Sequence, residues 1–283
     1  MPSSTDSHFL KGLHEVAQRY DSFVFDIWGV LHNGHHVFPT ALEALQHLKQ
    51  LNKPAALLSN SPRLSEHVTE QLAHLGLPQE LYSHILTSGS MASTLIDQWI
   101  DQEGPHCLFM GHDTHKHILE PYNLVFVQTP EEADFIYNSG PEDLAIKLSS
   151  YQNILTQAQA FDLKMFCTNP DLEVVIGSQK ELCAGTLAQF YHNIGGAVFF
   201  TGKPHAKTYE MLFENTGFQP EKTLCIGDSM AHDIVGGNQA GCDTALVFSG
   251  IHGDHPSFGT EPLKQLIHQH DVTPTYAMHA LTW

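Results

Sequence analysis

Asp26 closes the run Ser22-Phe-Val-Phe25 and is followed by Ile27, Trp28 and Gly29. Four β-prone residues ending in one acid describe a buried parallel strand with a carboxylate at its carboxyl end, the edge where open α/β sheets hold their active sites. A carboxylate is costly to bury there unless a cation or metal faces it, and alone the stretch reads equally well as a solvated turn. Three more strand ends repeat the pattern. Ala55–Leu58 leads into Ser59 and Asn60, a hydroxyl and an amide able to hold a phosphate oxygen. Ala197–Phe200 leads to Lys203, a lone cation, and Lys222–Ile226 leads through Gly227 to Asp228, with Asp233 five residues on. If these strands are neighbours, three carboxylates and one lysine share a crevice, with Asp26 as candidate nucleophile. Three acids repel one another unless a divalent ion sits among them, and oxygen-only ligands with room for water and phosphate suit Mg²⁺. Gly-Asp and Gly-Lys-Pro are common turn pairs singly; four such ends, each closing an apolar run in order, carry the argument.

The elements that must position these residues alternate between strand and helix. The spacing of Leu10, Leu13, Val16 and Ala17 predicts a helix over 9–20, packed on the core before the Asp26 strand. Thr40, with Glu43 three residues on, predicts a capped helix through Leu51. Residues 64–75 read as a helix stopped by Gly76, and His84–Thr87 as a third strand before a helix over about 90–100. The alternation implies right-handed βαβ units and a parallel sheet. Between about 89 and 177 the pattern continues with strands at 106–110, 124–127, 134–137 and 164–167 and helices at about 114–119 and 143–156. A helix over 181–193 follows, and 244–248 is the last clear strand. The fold class expected is therefore α/β, a Rossmann-like parallel-sheet core (residues 1–88 and 178–283) interrupted by a smaller inserted α/β domain (residues 89–177).

Composition narrows the function. With 283 residues and 42% hydrophobic content the chain can bury a sizeable core, in two domains more readily than one. A formal charge of −18 argues against nucleic acid or anionic lipid as the main partner. No apolar run is long enough to span a membrane, and the start lacks the features of a secretory signal. The five scattered cysteines, without a CxxC pair, read as reduced thiols of a cytoplasmic protein. Among the 21 histidines, His112, His115 and His117 could bind a transition metal, but their spacing matches no standard structural zinc site, and solvated loop histidines are the commoner case.

The ordered set Asp26, Ser59, Lys203 and Asp228 resembles the haloacid dehalogenase superfamily of hydrolases, in the NagD-like, 4-nitrophenylphosphatase-like branch whose large α/β cap lies between the second and third motifs. The resemblance implies that Asp26 attacks phosphorus to give an aspartyl-phosphate. Ser59 would bind the transferring phosphoryl group, Lys203 would neutralise charge on both, and Asp228 would ligate Mg²⁺ with Asp233 in support. The segment Thr168-Asn169-Pro170-Asp171 resembles the family's cap-to-core return, which makes Asn169 and Asp171 candidate substrate contacts. The cap would close over a small phosphorylated substrate and set its identity. A homodimer is compatible with this reading, which leaves oligomeric state open.

One departure matters. Phosphatases of the superfamily carry Asp-x-Asp at the first motif, and here the second acid is Trp28. That acid protonates the leaving oxygen and then activates water; an indole does neither. The backbone carbonyl of Trp28, the group such proteins offer to the metal, survives. Three readings follow: a Mg²⁺-dependent phosphohydrolase, a phosphate-binding regulator with little turnover, or an enzyme for activated acyl-phosphate or phosphonate bonds. His32, His35, His36 and Asp171 are the candidates to replace the missing acid.

Overall fold

The computed structural model of the protein describes residues 8–143, 146–176, 179–249 and 259–283. They form two compact units. The first is built from the described residues within Met1–Ser59, Glu66–Leu86 and Lys203–Trp283; the second from those within Asn60–Ser65 and Thr87–Gly202.

The first unit is organised around a seven-stranded sheet. From one edge its order is His8–Phe9, Tyr276–Met278, Asp243–Val247, Thr223–Gly227, Ser22–Asp26, Ala55–Ser59 and His84–Thr87. The pairings from His8–Phe9 through Ala55–Ser59 are all parallel. Ser22–Asp26, Ala55–Ser59 and Thr223–Gly227 are buried along their whole length, as continuous apolar runs in a sheet covered on both faces require. The helix Pro39–Gln50 buries Ala41, Ala44, Leu45 and Leu48, a single face at helical spacing, into the core formed with Phe23, Phe25 and Leu57. Each such leucine, fully buried, contributes roughly 1.5–3 kcal/mol.

The second unit carries a five-stranded, all-parallel sheet in the order Val198–Phe200, Lys164–Cys167, Phe135–Asn138, His106–Met110 and Val125–Val127. Helices Gln152–Ala160 and Ala184–Asn193 pack Leu155, Leu187 and Tyr191 against Ile136 and Met165. Among the described residues no helix is long and apolar enough to cross a membrane.

Four expectations require correction. The inserted unit does not end at 177. Gln179–Leu182 pairs antiparallel with Glu173–Ile176, the next helix covers the second sheet, and Val198–Phe200 pairs with Lys164–Cys167, so the insertion runs to Gly202. (Residue 177 itself lies outside the described residues.) The start of the expected 181–193 helix is thereby a strand, and the helix begins at Ala184. The N-terminal segment is the short strand His8–Phe9 followed by two 3₁₀ turns, Leu13–Glu15 and Ala17–Arg19, rather than a helix. Its backbone is claimed from outside: Leu10 N–H donates to the Ala277 carbonyl at 2.8 Å and Leu13 N–H to that of Thr282 at 2.9 Å. Thr40 is not a cap either. Pro39, whose fixed φ suits the first helical position, starts the helix two residues earlier, with Phe38 rather than Thr40 at the cap position.

Smaller differences follow from the same competition. Asp113–Leu119 is a 3₁₀ turn, and the helix expected at 143–156 is Gln152–Ala160. Beyond residue 248 lie a further helix, Thr260–His270, and the strand Tyr276–Met278.

Candidate active site

Numbered in chain order, six strands of the first sheet run 3-2-1-4-5-6, a doubly wound arrangement with His8–Phe9 added at the edge. Such a sheet has one switch point, where successive strands go to opposite sides, and the crevice at its carboxyl edge is where ligands bind. Here the switch lies between Ser22–Asp26 and Thr223–Gly227. Register pairs Phe25 with Ile226, so Asp26 comes level with Gly227 and Asp228 follows one residue beyond on the neighbouring strand.

Asp26, Asp228 and Asp233 converge as their separation of more than 200 residues could not itself ensure. Carboxylate oxygens of all three lie within 4.8 Å of one another. Lys203 donates to Asp26 Oδ1 at 2.5 Å and to Asp233 Oδ1 at 2.7 Å, and is almost wholly buried. Asp233 arrives on the single π-helical turn Met230–Ile234, where its Oδ2 accepts from Ser229 N–H at 3.0 Å. Gly227 makes this possible. A Cβ there would sit 2.0 Å from the Asp233 carboxyl carbon, so any other residue displaces the acid.

Burial pushes the Asp26 carboxyl up to about 7, against the pull of Lys203 and with the help of Asp233. Burial alone would lower Lys203; the facing Asp233 and Asp26 outweigh it and hold the ammonium charged well above its ordinary range. One cation among three acids leaves two negative charges when all are ionised. That donor set, all hard oxygens in a buried crevice, fits a divalent cation such as Mg²⁺.

Ser59 is buried at the end of its strand, adjacent to the Asp26 strand. Asn60 belongs to the second unit, where its amide donates to Asp171 Oδ1 at 2.8 Å, and Asp171 N–H in turn donates to Asn169 Oδ1 at 3.0 Å. The indole of Trp28 folds back onto its own loop. It meets the His32 ring edge-to-face at 5.1 Å and lies against Gly34, where a Cβ would fall 2.6 Å from the indole. Gly34 also adopts φ +89°, so glycine is required twice over. His32 is buried, contrary to the solvated loop residue expected, and its Nδ1 accepts from Gly34 N–H at 2.8 Å. His35 and His36 are exposed, their backbone N–H groups both donating to Asn33 Oδ1. Sequence reading missed the Gly227–Asp233 approach and the Asn60–Asp171 bond. A Gly-Asp pair with a second acid five residues on is a signal for the first; nothing local signals the second.

The fold and this cluster define a hydrolase of the phosphatase type. Residues 23–125 match the family described as haloacid dehalogenase-like hydrolase, and residues 200–276 the one described as HAD-hydrolase-like. Together the two matches span more than half of the chain, which belongs to the haloacid dehalogenase superfamily and is NagD-like. It is 25% identical to human chronophin over 285 residues, covering 95% of this chain and 93% of chronophin. It is 26% identical to the ribonucleotide monophosphatase NagD of Escherichia coli (strain K12) over 234 residues, covering 81% of this chain and 87% of NagD. A solved haloacid dehalogenase-like hydrolase from Brucella suis 1330 superposes with a TM-score of 0.83 at 27% identity, covering 96% of this chain and all of that one. The p-nitrophenyl phosphatase from Archaeoglobus fulgidus, with a TM-score of 0.69 at 21% identity over 92% of this chain and 96% of its own, shares the fold.

Proposed function

We propose that the protein is a Mg²⁺-dependent phosphohydrolase that cleaves a small phosphorylated metabolite through an aspartyl-phosphate on Asp26. The observation that carries this is the buried Asp26–Lys203–Asp233 chain beside Asp228. Asp26, held against the Lys203 ammonium, attacks phosphorus; the P–O bond to the leaving group breaks as the Asp26–P bond forms. Lys203 stays protonated and balances charge on both the nucleophile and the transferring group, while the Ser59 hydroxyl holds a phosphoryl oxygen. Water then cleaves the acyl phosphate and regenerates Asp26. Asp26, Asp228 and the Trp28 carbonyl, with Asp233 in support, would hold Mg²⁺, which would supply electrostatic stabilisation of phosphoryl charge. The names of relatives, ribonucleotide monophosphatase for NagD and 5'-nucleotidase for YutF of Bacillus subtilis, support nucleoside monophosphates as the alkyl esters of the substrate panel.

Trp28 narrows the reading. Its indole is fixed against Gly34 and His32 and holds no transferable proton, so departure of an alkoxide lacks an acid at that position. General acid catalysis is typically worth about 10²–10⁴-fold, which favours esters or anhydrides whose leaving group departs as a stable anion. The test is orthophosphate release from p-nitrophenyl phosphate, acetyl phosphate and a nucleotide panel with Mg²⁺, with Asp26→Asn as the blank. Calorimetric Mg²⁺ titration of wild type and Asp228→Asn accompanies it. Turnover no greater than the blank, or equal Mg²⁺ affinity in both proteins, refutes the proposal.

A further inference from the structure

Lys203 is held at its tip by two carboxylates, and the chain that delivers it is held just as closely. Only Thr201 and Gly202, the last residues of the second unit, separate it from the edge strand Val198–Phe200. Thr201 N–H donates to the Cys167 carbonyl at 3.0 Å, which carries the strand pairing one residue further. The rest of Thr201 is taken up by Ser88, 113 residues earlier in the chain. The Ser88 hydroxyl donates to the Thr201 carbonyl at 2.5 Å, and the Thr201 hydroxyl donates to the Ser88 carbonyl at 3.1 Å. The two hydroxyl oxygens lie 2.8 Å apart, and both residues are buried.

The Ser88 hydroxyl is not spent on its own helix. In Ser88–Glu103 the cap is Thr87, whose hydroxyl accepts from Ser90 N–H at 3.1 Å. The start of that helix is itself fixed: Gly89 N–H donates to the Ser61 carbonyl at 3.0 Å, and a Cβ on Gly89 would fall 2.2 Å from the Pro62 carbonyl oxygen. Ser88 is therefore a rigid anchor. Beyond Thr201 the chain has no slack either. Gly202 adopts φ +108°, and a Cβ there would fall 2.7 Å from Asn60 Oδ1 and 3.0 Å from the Ser88 hydroxyl. The backbone is thus fixed up to the residue before Lys203. A lysine stem is flexible, so where its ammonium ends depends on where its Cα begins. The contacts of 2.5 Å to Asp26 and 2.7 Å to Asp233 leave little room for a backbone shift.

We propose that Ser88 is a positioning residue for phosphoryl transfer, gripping Thr201 so that the Lys203 ammonium is delivered to Asp26 and the transferring group. The inference rests on the role given to Lys203 in the proposed function and deepens it. Removing either hydroxyl takes a donor from a buried carbonyl and frees the chain just before Lys203. Catalytic groups act only within about 0.5 Å of their productive geometry, so a small shift of that backbone reaches the reaction.

The test reads Lys203 directly, with neither substrate nor metal. Lysine-ammonium nitrogen NMR of the full chain detects ammonium groups held in buried ion pairs, and the Lys203 signal is assigned by its loss in Lys203→Arg. Ser88→Ala and Thr201→Val each remove one hydroxyl, the second without a change of shape, whereas Thr201→Ser keeps it. The Lys203 signal should shift or broaden in the first two variants and stay in place in Thr201→Ser. For p-nitrophenyl phosphate with Mg²⁺, kcat should fall about 10²-fold in Ser88→Ala and Thr201→Val with KM little changed, and recover in Thr201→Ser. Tyr191→Phe is the control. It removes a buried hydroxyl that donates to the Leu163 carbonyl elsewhere in the second unit, and should leave both readings alone. An unmoved ammonium signal in both Ser88→Ala and Thr201→Val overturns the proposal, as does a moved signal with kcat unchanged. A loss in Thr201→Ser equal to that in Thr201→Val, or an equal effect of Tyr191→Phe, overturns it too. The phosphatase reading fails separately: a moved signal in a chain whose wild type shows no turnover above Asp26→Asn upholds the placement of Lys203 by Ser88 and refutes only the reaction.

Discussion

Both units obey the same topological rule and place different side chains where it designates, charged groups in the first sheet and neutral ones in the second. At the switch point of the first sheet, Asp26, Asp228 and Asp233 surround one lysine. At that of the second, between His106–Met110 and Phe135–Asn138, the His115 ring meets the Ser139 hydroxyl at 3.1 Å. The first is built from an ion-paired lysine among carboxylates, the second from a hydroxyl and a histidine held neutral. The difference teaches that the fold dictates where a ligand meets a parallel sheet, while the side chains at two adjacent strand ends decide its chemistry. It also separates two kinds of burial. Asp26 and Lys203 are buried as an ion pair with a hydrogen bond between them, whereas His115 is buried by giving up its charge.

The largest expected effect breaks the first crevice alone. Asp26→Asn should lower phosphate-ester turnover by about 10⁴-fold or more, as removal of a nucleophile does. The His115 midpoint should stay where it is in wild type. A comparable loss of turnover from His115→Gln would show that the two crevices are not chemically independent.

Next in size is Lys203→Met. Removing the cation leaves two buried carboxylates facing each other, and breaking a buried pair in this way costs about 3–5 kcal/mol. Denaturant unfolding of the variant should show that loss. A change under 1 kcal/mol would mean that the acids are already neutralised by another group.

Trp28→Asp sharpens the comparison by adding an acid where the superfamily carries one. Wild type should cleave p-nitrophenyl phosphate and acetyl phosphate far faster than alkyl esters, and the variant should narrow that gap by about 10²-fold. A leaving-group series on both proteins at fixed Mg²⁺ reads this directly. Wild-type alkyl-ester rates equal to those for p-nitrophenyl phosphate would show that another group supplies the proton.

The two crevices also differ in how much of them is legible in the chain. Asp26, Ser59, Lys203 and Asp228 stand out because each closes an apolar run, and a buried parallel strand has no freedom over where its last residue points. The second crevice has no such mark. His115 sits in a 3₁₀ turn, which no apolar run closes. Val198–Phe200 is misassigned for a related reason: apolar strands carry their burial in their sequence but not the identity of the sheet edge that accepts them. The N-terminal segment fails differently. Its apolar spacing is real, with Leu10, Leu13, Val16 and Ala17 all buried, yet carbonyls near the far end of the chain compete successfully for its backbone.

A smaller effect tests how the second crevice is built. Gly111→Ala places a methyl group 1.9 Å from the Ser139 hydroxyl and 3.0 Å from the Phe109 ring, so the hydroxyl must turn away from its bonds or a strand end must move. Overpacking of this kind costs about 1–3 kcal/mol, measurable as a lowered unfolding midpoint. Gly76→Ala serves as the control for a left-handed glycine with nothing near its added methyl group. Its cost comes from backbone strain alone. If Gly111→Ala is fully stable while Gly76→Ala is not, the strand ends are looser than the 2.8 Å bond from Ser139 N–H to the Met110 carbonyl implies.

The smallest expected effect is a pH dependence of stability that belongs to the second crevice. His115 titrates at about 4 in the folded chain and near 6.5 when unfolded, because burial and the neighbouring cations disfavour its charge. Below the unfolded value the unfolded chain binds the extra proton and the folded chain does not. Stability from this residue is therefore full above pH 6.5, falls as pH drops through the window, and levels off below about 4. Between pH 6 and 5 the loss is about 1 kcal/mol, reduced by whatever solvent reaches the ring. Urea unfolding at half-unit steps, in wild type and His115→Gln, isolates the term as the difference between two slopes. Glutamine does not titrate, so the variant should be less pH-sensitive than wild type across that window. Identical slopes would mean that His115 keeps its charge in the folded state.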